Sequence, residues 1–195
     1  NPKRIVFAEG NNPKVLRAAN ELLHDGIASP ILLGNVDEIR QLIAENHFDL
    51  NKVSIIDPHA SEQDELREMF AKLIWEKRRR KGITLEEATE LTYNRNYFGI
   101  MMVDTGKADA MISGVTSHYG DVMSPALKLI GPKFGLGHIS SMYIVMTKRG
   151  PLFFADTSVN LDPDVQTLIE TTLLASEEVK KFNIEPVIAM VSYSN

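Results

Sequence analysis

The strongest constraint on the fold is an alternation: short apolar runs that read as strands are separated by stretches with helical period. Arg4-Ile5-Val6-Phe7-Ala8 is the first such run, and Glu9-Gly10-Asn11-Asn12-Pro13 is a turn after it. Pro13 suits the first position of a helix, with Asn12 as its cap. Val15, Leu16, Ala19, Leu22 and Leu23 then make an i, i+3, i+4 stripe that stops near Gly26. Pro30 to Gly34 is a second strand, Ile39, Leu42 and Ile43 mark a second helix, and Val53 to Ile56 a third strand. Strands alternating with helices predict an α/β fold with a mostly parallel, doubly wound sheet.

The middle of the chain is helical. Ser61-Glu62-Gln63-Asp64 resembles a capping box, and Leu66, Met69, Phe70, Leu73 and Ile74 form the stripe of the helix it would start. That helix ends in Glu76-Lys77-Arg78-Arg79-Arg80-Lys81-Gly82, with cations where the dipole favours them and glycine as terminator. Thr84 caps a further helix with Glu87 completing the box, and Tyr97 to Thr105 is helical as well. Ala108 to Ser113 reads as a strand and Asp121 to Ile130 as a helix. Gly131 to Gly137 is the best hinge, which places one subdomain at 1–133 and a second at 134–195. Ser141 to Thr147 and Leu152 to Ala155 read as paired strands around Lys148-Arg149-Gly150-Pro151. A long helix starts at Asp162-Pro163, and Val187 to Val191 reads as the last strand. A strand so close to the end of the chain suggests a piece of something longer.

Composition excludes several classes. The formal net charge of −5 argues against a nucleic-acid or membrane-surface partner. The absence of cysteine removes disulfides, thiolate metal sites and thiol catalysis. No apolar run approaches the roughly 18 to 20 residues that cross a bilayer, and a cytoplasmic protein is the expectation. The histidines, His24, His47, His59, His118 and His138, never fall at ligand spacing, so no metal site is expected.

The chemistry concentrates at strand ends. Ser113-Gly114-Val115-Thr116-Ser117-His118 joins an apolar run to a helix start, an arrangement whose free N–H groups suit an anion. No Lys or Arg lies between Met111 and Leu127, and His118 has no carboxylate placed by sequence to orient it. Asp156-Thr157-Ser158-Val159-Asn160 and Ser192-Tyr193-Ser194-Asn195 also follow apolar runs. Three polar strand ends favour a small-molecule site, because ligands of open α/β sheets gather at the carboxyl ends of strands. Taken alone, Arg78-Arg79-Arg80 is a solvated helix end.

Several stretches, in order, resemble the phosphate acetyltransferase and phosphate butyryltransferase family: RIVFAEG, GIASPILLGN, RRKGITLEEA, YFGIMMVDTGKADAMISG, FFADTSVNLDPD and EPVIAMVSYSN. The resemblance implies a three-layer fold similar to isocitrate and isopropylmalate dehydrogenases, with two subdomains and a cleft for coenzyme A thioesters. It also implies a homo-oligomer, and a further catalytic Ser-Arg segment and Asp beyond residue 195.

Two branches share this pattern: free-standing transferases, and a regulatory domain at the end of multi-domain NADP-dependent malic enzymes. Active transferases carry arginine in a segment like LRPALQIIG, where this chain reads Met123-Ser124-Pro125-Ala126-Leu127. A serine hydroxyl replaces neither the charge nor the reach of a guanidinium. The ending Ser-Tyr-Ser-Asn and the stretch Ala155 to Asn160 also resemble the malic-enzyme branch. The expectation is therefore a non-catalytic domain that binds acetyl-CoA as an inhibitory effector. NADP, a divalent Mg or Mn, and the malic-enzyme and NAD-binding domains would be its companions in the same polypeptide. The alternative is an active phosphate acetyltransferase. The ligand-binding residues implied are Arg78, Ser113, Gly114, Thr116, Ser117, Ser124, Asp156, Asn160, Ser192, Tyr193 and Ser194.

Overall fold

The computed structural model describes residues 2–191, and the chain divides into two compact units between Ile130 and Gly131. The first unit runs β1 (Lys3–Phe7), α1 (Pro13–His24), β2 (Ala28–Leu33), α2 (Val36–Glu45), β3 (Ser54–Ile56), α3 (Asp64–Arg78), α4 (Leu85–Leu91), α5 (Arg95–Asp104), β4 (Ala110–Ile112) and α6 (Tyr119–Leu129). The second runs β5 (Met142–Thr147), β6 (Gly150–Ala155) and α7 (Val165–Lys180). Among the described residues no helix is long and apolar enough to cross a membrane.

Local chemistry sets most helix starts. The Asn12 side chain accepts from the Lys14 N–H with Pro13 in the first turn, and Asn35 accepts from Glu38. Thr84 and Glu87 form a reciprocal capping box at α4. Two expected caps are replaced. Ser61–Gln63 is a single 3-10 turn without a side-chain cap, and α3 begins at Asp64. Helix α7 begins at Val165 rather than at Asp162, because Asp164 takes both the N–H and the hydroxyl of Thr167, at 2.8 and 2.7 Å.

The first unit holds a four-stranded sheet in the order β3-β2-β1-β4, with every neighbouring pair parallel. Strand alternation divides its side chains between two helical layers. Val6, Ile31 and Leu33 pack with Phe70, Ile74, Phe98 and Met101, from α3 and α5. Phe7 and Leu32 face Val15, Leu16 and Ala19 of α1 and Ile39 and Ile43 of α2. Phe70 and Phe98, both fully buried, meet edge to face with ring centroids 5.2 Å apart. The expected α3 stripe changes in two places: Met69 is 37% exposed and Arg67 is buried. Arg67 lies over the Tyr93 ring and donates to the carbonyls of Pro58 and Ala60, which ties the loop after β3 to α3.

In the second unit β5 and β6 pair antiparallel, with Thr147 opposite Gly150, so the turn is only Lys148–Arg149 and Pro151 lies within β6. Proline is tolerated there because a two-stranded sheet consists of edges. Phe153 and Phe182 meet with ring centroids 5.3 Å apart. Val187 to Val191 is not a strand: these residues pair with no neighbour among the described residues, and Val187 and Val191 are more than 90% exposed. An apolar run becomes a strand only when a ladder receives its N–H and C=O groups.

Strand order reverses between β1 and β4, because the chain moves outward through β2 and β3 and then returns to the other side of β1. The loops after β1 and β4 are thereby brought side by side at the carboxyl edge. Gly10 in the first of them permits close packing: a Cβ there would stand 2.8 Å from the Leu33 carbonyl oxygen. Gly10→Ala is expected to destabilise the protein by about 1 to 3 kcal/mol in urea denaturation. Gly120→Ala, in a helix with open space around it, is expected to stabilise by about 0.4 to 1 kcal/mol. Equal effects of the two changes would refute the close approach.

Candidate functional site

The 113–118 loop, expected to present its N–H groups to an anionic ligand, instead turns them onto the chain's own Glu9. One carboxylate oxygen accepts the N–H groups of Gly114 and Val115 at 2.9 and 2.7 Å. The other accepts the N–H groups of Thr116 and Ser117 at 2.7 and 3.0 Å, and their hydroxyls at 2.6 and 3.1 Å. Glu9 is only 5% exposed. Burial by itself would raise its pKa. The Thr116 hydroxyl and amide, then the amides of Val115 and Gly114, outweigh that effect and bring it to about 2.

Gly114, Thr116 and Ser117 thus meet around Glu9. Ser113 turns inward, its hydroxyl donating to Asn96 Oδ1 at 2.8 Å. Asn96 is buried, and its Nδ2 donates to the Asp121 carbonyl at 3.3 Å. In an unbroken helix that carbonyl would receive the N–H of residue 125, but residue 125 is proline and has none. Asn96 therefore repairs the gap in α6 and fastens the loop to α5 at once. His118 is exposed and occupies the N-cap position of α6 without a side-chain cap bond. Ser124 sits half-buried in the middle of α6.

Arg78 lies elsewhere. Its neighbour Lys77 bonds Asp104 at the end of α5 and the carbonyl of Leu129 at the end of α6, each at 2.9 Å. The loop stands at the opposite end of α6, an 11-residue helix about 16 Å long at 1.5 Å per residue. The Arg78 Nε is buried without a hydrogen-bond partner among the described residues.

In the second unit Asp156 and Asn160 are joined directly. One Asp156 oxygen accepts from the Ser141 N–H and hydroxyl at 3.0 and 2.6 Å, and the other from the Asn160 N–H and side chain at 2.9 and 2.5 Å. Burial works upward on this carboxyl too, but the Ser141 hydroxyl and amide and then Asn160 hold it far below the ordinary range. Glu170 accepts the N–H groups of Gly137 and His138 at 3.0 and 2.9 Å. Ser192, Tyr193 and Ser194 lie outside the described residues. Among the described residues no three His, Asp or Glu side chains come together as a metal site.

Glu9, Asn96 and Ser141 were not foreseen. Glu9 read as part of a turn, and its partners are 105 to 108 residues away. The available signal was a strand-end glutamate in a parallel sheet that also carries a loop rich in free N–H groups.

A family profile for phosphate acetyl/butaryl transferases matches residues 1–195, and the chain belongs to that family. The phosphate acetyltransferase of Staphylococcus epidermidis is 38% identical over 193 residues, taking in 98% of this chain and 57% of that protein. That of Bacillus subtilis is 36% identical over 193 residues, taking in 98% of this chain and 58% of the relative. A phosphotransacetylase crystal structure from Streptococcus pyogenes matches with a TM-score of 0.87 at 36% identity, over 99% of this chain and 58% of that one. The chain thus spans rather more than half the length of these relatives.

These matches overturn the malic-enzyme reading, and with it NADP, oxidoreductase chemistry and the malic-enzyme and NAD-binding domains as partners: the relatives similar along this chain are named phosphate acetyltransferases. One reason the sequence misled is visible in the structure. Asp156 and Asn160 serve a local hydrogen-bond network, so their pattern reports the loop's shape and does not discriminate between branches.

Two outcomes follow from the site. Because the Glu9 pKa is lowered from 4.5 to about 2, its contribution is complete above pH about 4.5 and is lost as pH falls toward 2. That contribution is on the order of 3 kcal/mol at neutral pH. Between those pH values wild type should lose stability relative to Glu9→Gln, as measured by urea unfolding at each pH; parallel curves would contradict it. Asn96→Ala, which orphans the Asp121 carbonyl and the Ser113 hydroxyl, should cost about 1 to 3 kcal/mol in the same assay.

Proposed function

We propose that this protein transfers an acetyl group between coenzyme A and inorganic phosphate, as a phosphate acetyltransferase. The observation that carries the proposal is the family match over residues 1–195, together with relatives of that name along 98% of the chain. In this reaction a phosphate oxygen attacks the thioester carbonyl, a tetrahedral oxyanion forms and collapses, and the thiolate of coenzyme A leaves as acetyl phosphate forms.

Acetyl-CoA is the proposed ligand. The loop holding Ser113, Gly114, Thr116 and Ser117 stands at the switch point of the sheet, where open α/β sheets bind ligands. Ser124 lies further along α6, and Arg78 lies near its far end. The spacing of about 16 Å along α6 suits an extended thioester, with its reacting end toward the loop and a phosphate toward Arg78. The orphaned Nε of Arg78 supports an anionic partner there. In the second unit, Asp156 and Asn160, with Ser192, Tyr193 and Ser194, are proposed separately as ligand-contacting residues. The dehydrogenase-like layering and the homo-oligomer implied by the family resemblance belong to the same proposal.

Ser124 stands where the resembling transferases carry arginine. A hydroxyl supplies no charge to the developing oxyanion, so turnover is expected to be slow. Acetyl-CoA and phosphate should yield free thiol and acetyl phosphate in equal amounts. Ser124→Arg should raise kcat/KM for phosphate by about ten- to a hundredfold. Absence of acetyl phosphate with both proteins would end the proposal.

A further inference from the structure

We infer that Glu9 is the resident anion of the 113–118 loop: a positioning residue that fixes the loop's shape and withholds its amides from any bound phosphate or thioester oxygen. The sequence alone suggests the opposite use, with the amides presented to a ligand. In the structure every N–H from Gly114 to Ser117, and the hydroxyls of Thr116 and Ser117, end on the two Glu9 oxygens.

Three further observations keep Glu9 in place. Its backbone is held from both sides: the Ala8 N–H donates to Ile112 on β4, and the Gly10 N–H to Leu33 on β2, at 3.1 and 3.0 Å. The side chain is 5% exposed, so a ligand could take the amides only by driving an ionised carboxylate off six donors. Finally, residues 112–127 contain no Lys or Arg, so a phosphate beside Glu9 would meet a like charge with no cation from this segment between them. An anionic substrate at this edge is therefore held by side chains outside the amide cradle. The loop contributes a fixed surface on which α6 and its Ser124 are set.

The inference rests on the acyl-transfer proposal only for the identity of the anion, inorganic phosphate. Its test is amide hydrogen exchange and chemical shift in the 15N-labelled protein. In Glu9→Gln the amides of Gly114, Val115, Thr116 and Ser117 should exchange at least tenfold faster than in wild type, while those of Val6 and Phe7 keep their protection. Titrating wild type with inorganic phosphate should leave the four loop amides unmoved. Unchanged protection in Glu9→Gln, or saturable phosphate shifts on those four amides in wild type, would overturn the inference. If Glu9→Gln does not fold, the wild-type titration decides alone.

Kinetics separate positioning from competition. In the acetyl phosphate assay Glu9→Gln should lower kcat by tenfold or more without lowering KM for phosphate. A fall in KM for phosphate would mean that Glu9 had been blocking a phosphate subsite, and would overturn the inference. If no form of the protein makes acetyl phosphate, the proposed function fails, while the exchange and titration results still decide the role of Glu9.

Discussion

The carboxyl edge of the first unit depends on one buried charge. Glu9 gathers four amides and two hydroxyls from a segment more than a hundred residues later in the chain. A buried carboxylate without partners would cost several kcal/mol, and a loop with four unpaired, part-buried amides would be costly too. Each cancels the penalty of the other. The connection links the two strands between which the strand order reverses, and it fixes the loop that leads into α6, the helix that carries Ser124.

The same solution recurs in the second unit. Asp156 collects Ser141 and Asn160, and Glu170 collects Gly137 and His138. Irregular backbone leaves N–H groups that no ladder or helix receives, and an acidic side chain near the loop is a compact way to satisfy them. Depressed pKa values at Glu9 and Asp156 therefore arise from loop structure. A perturbed carboxylate at a candidate site need not be a proton-transfer group, and here each is already saturated with donors.

What was legible in the sequence was what neighbours decide. Asn12 with Pro13, and Thr84 with Glu87, cap their helices because donor and acceptor lie within three residues of each other. The strands of the parallel sheet were equally plain as short apolar runs, although only β2 is buried almost throughout. Errors arose where two local solutions competed or where a distant partner was needed. Asp162 and Asp164 are both plausible caps, and only Asp164 meets the amide and hydroxyl of Thr167. Val187 to Val191 has strand composition but no ladder among the described residues. Arg67 interrupts an apolar stripe, yet it is buried because two carbonyls and the Tyr93 ring receive it.

The sequence by itself determined the α/β class, the Asn12 and Thr84 caps and the short polar loop at 113–118, all properties of residues close together along the chain. The tertiary structure decided what that loop holds. Pairing β1 with β4 across a reversal of strand order brought Glu9 to the loop's amides, while Lys77, next to Arg78, bonds the far end of α6. Neither result is encoded in local spacing, because hydrogen bonds between distant segments are selected only once the sheet has fixed which strand ends are neighbours.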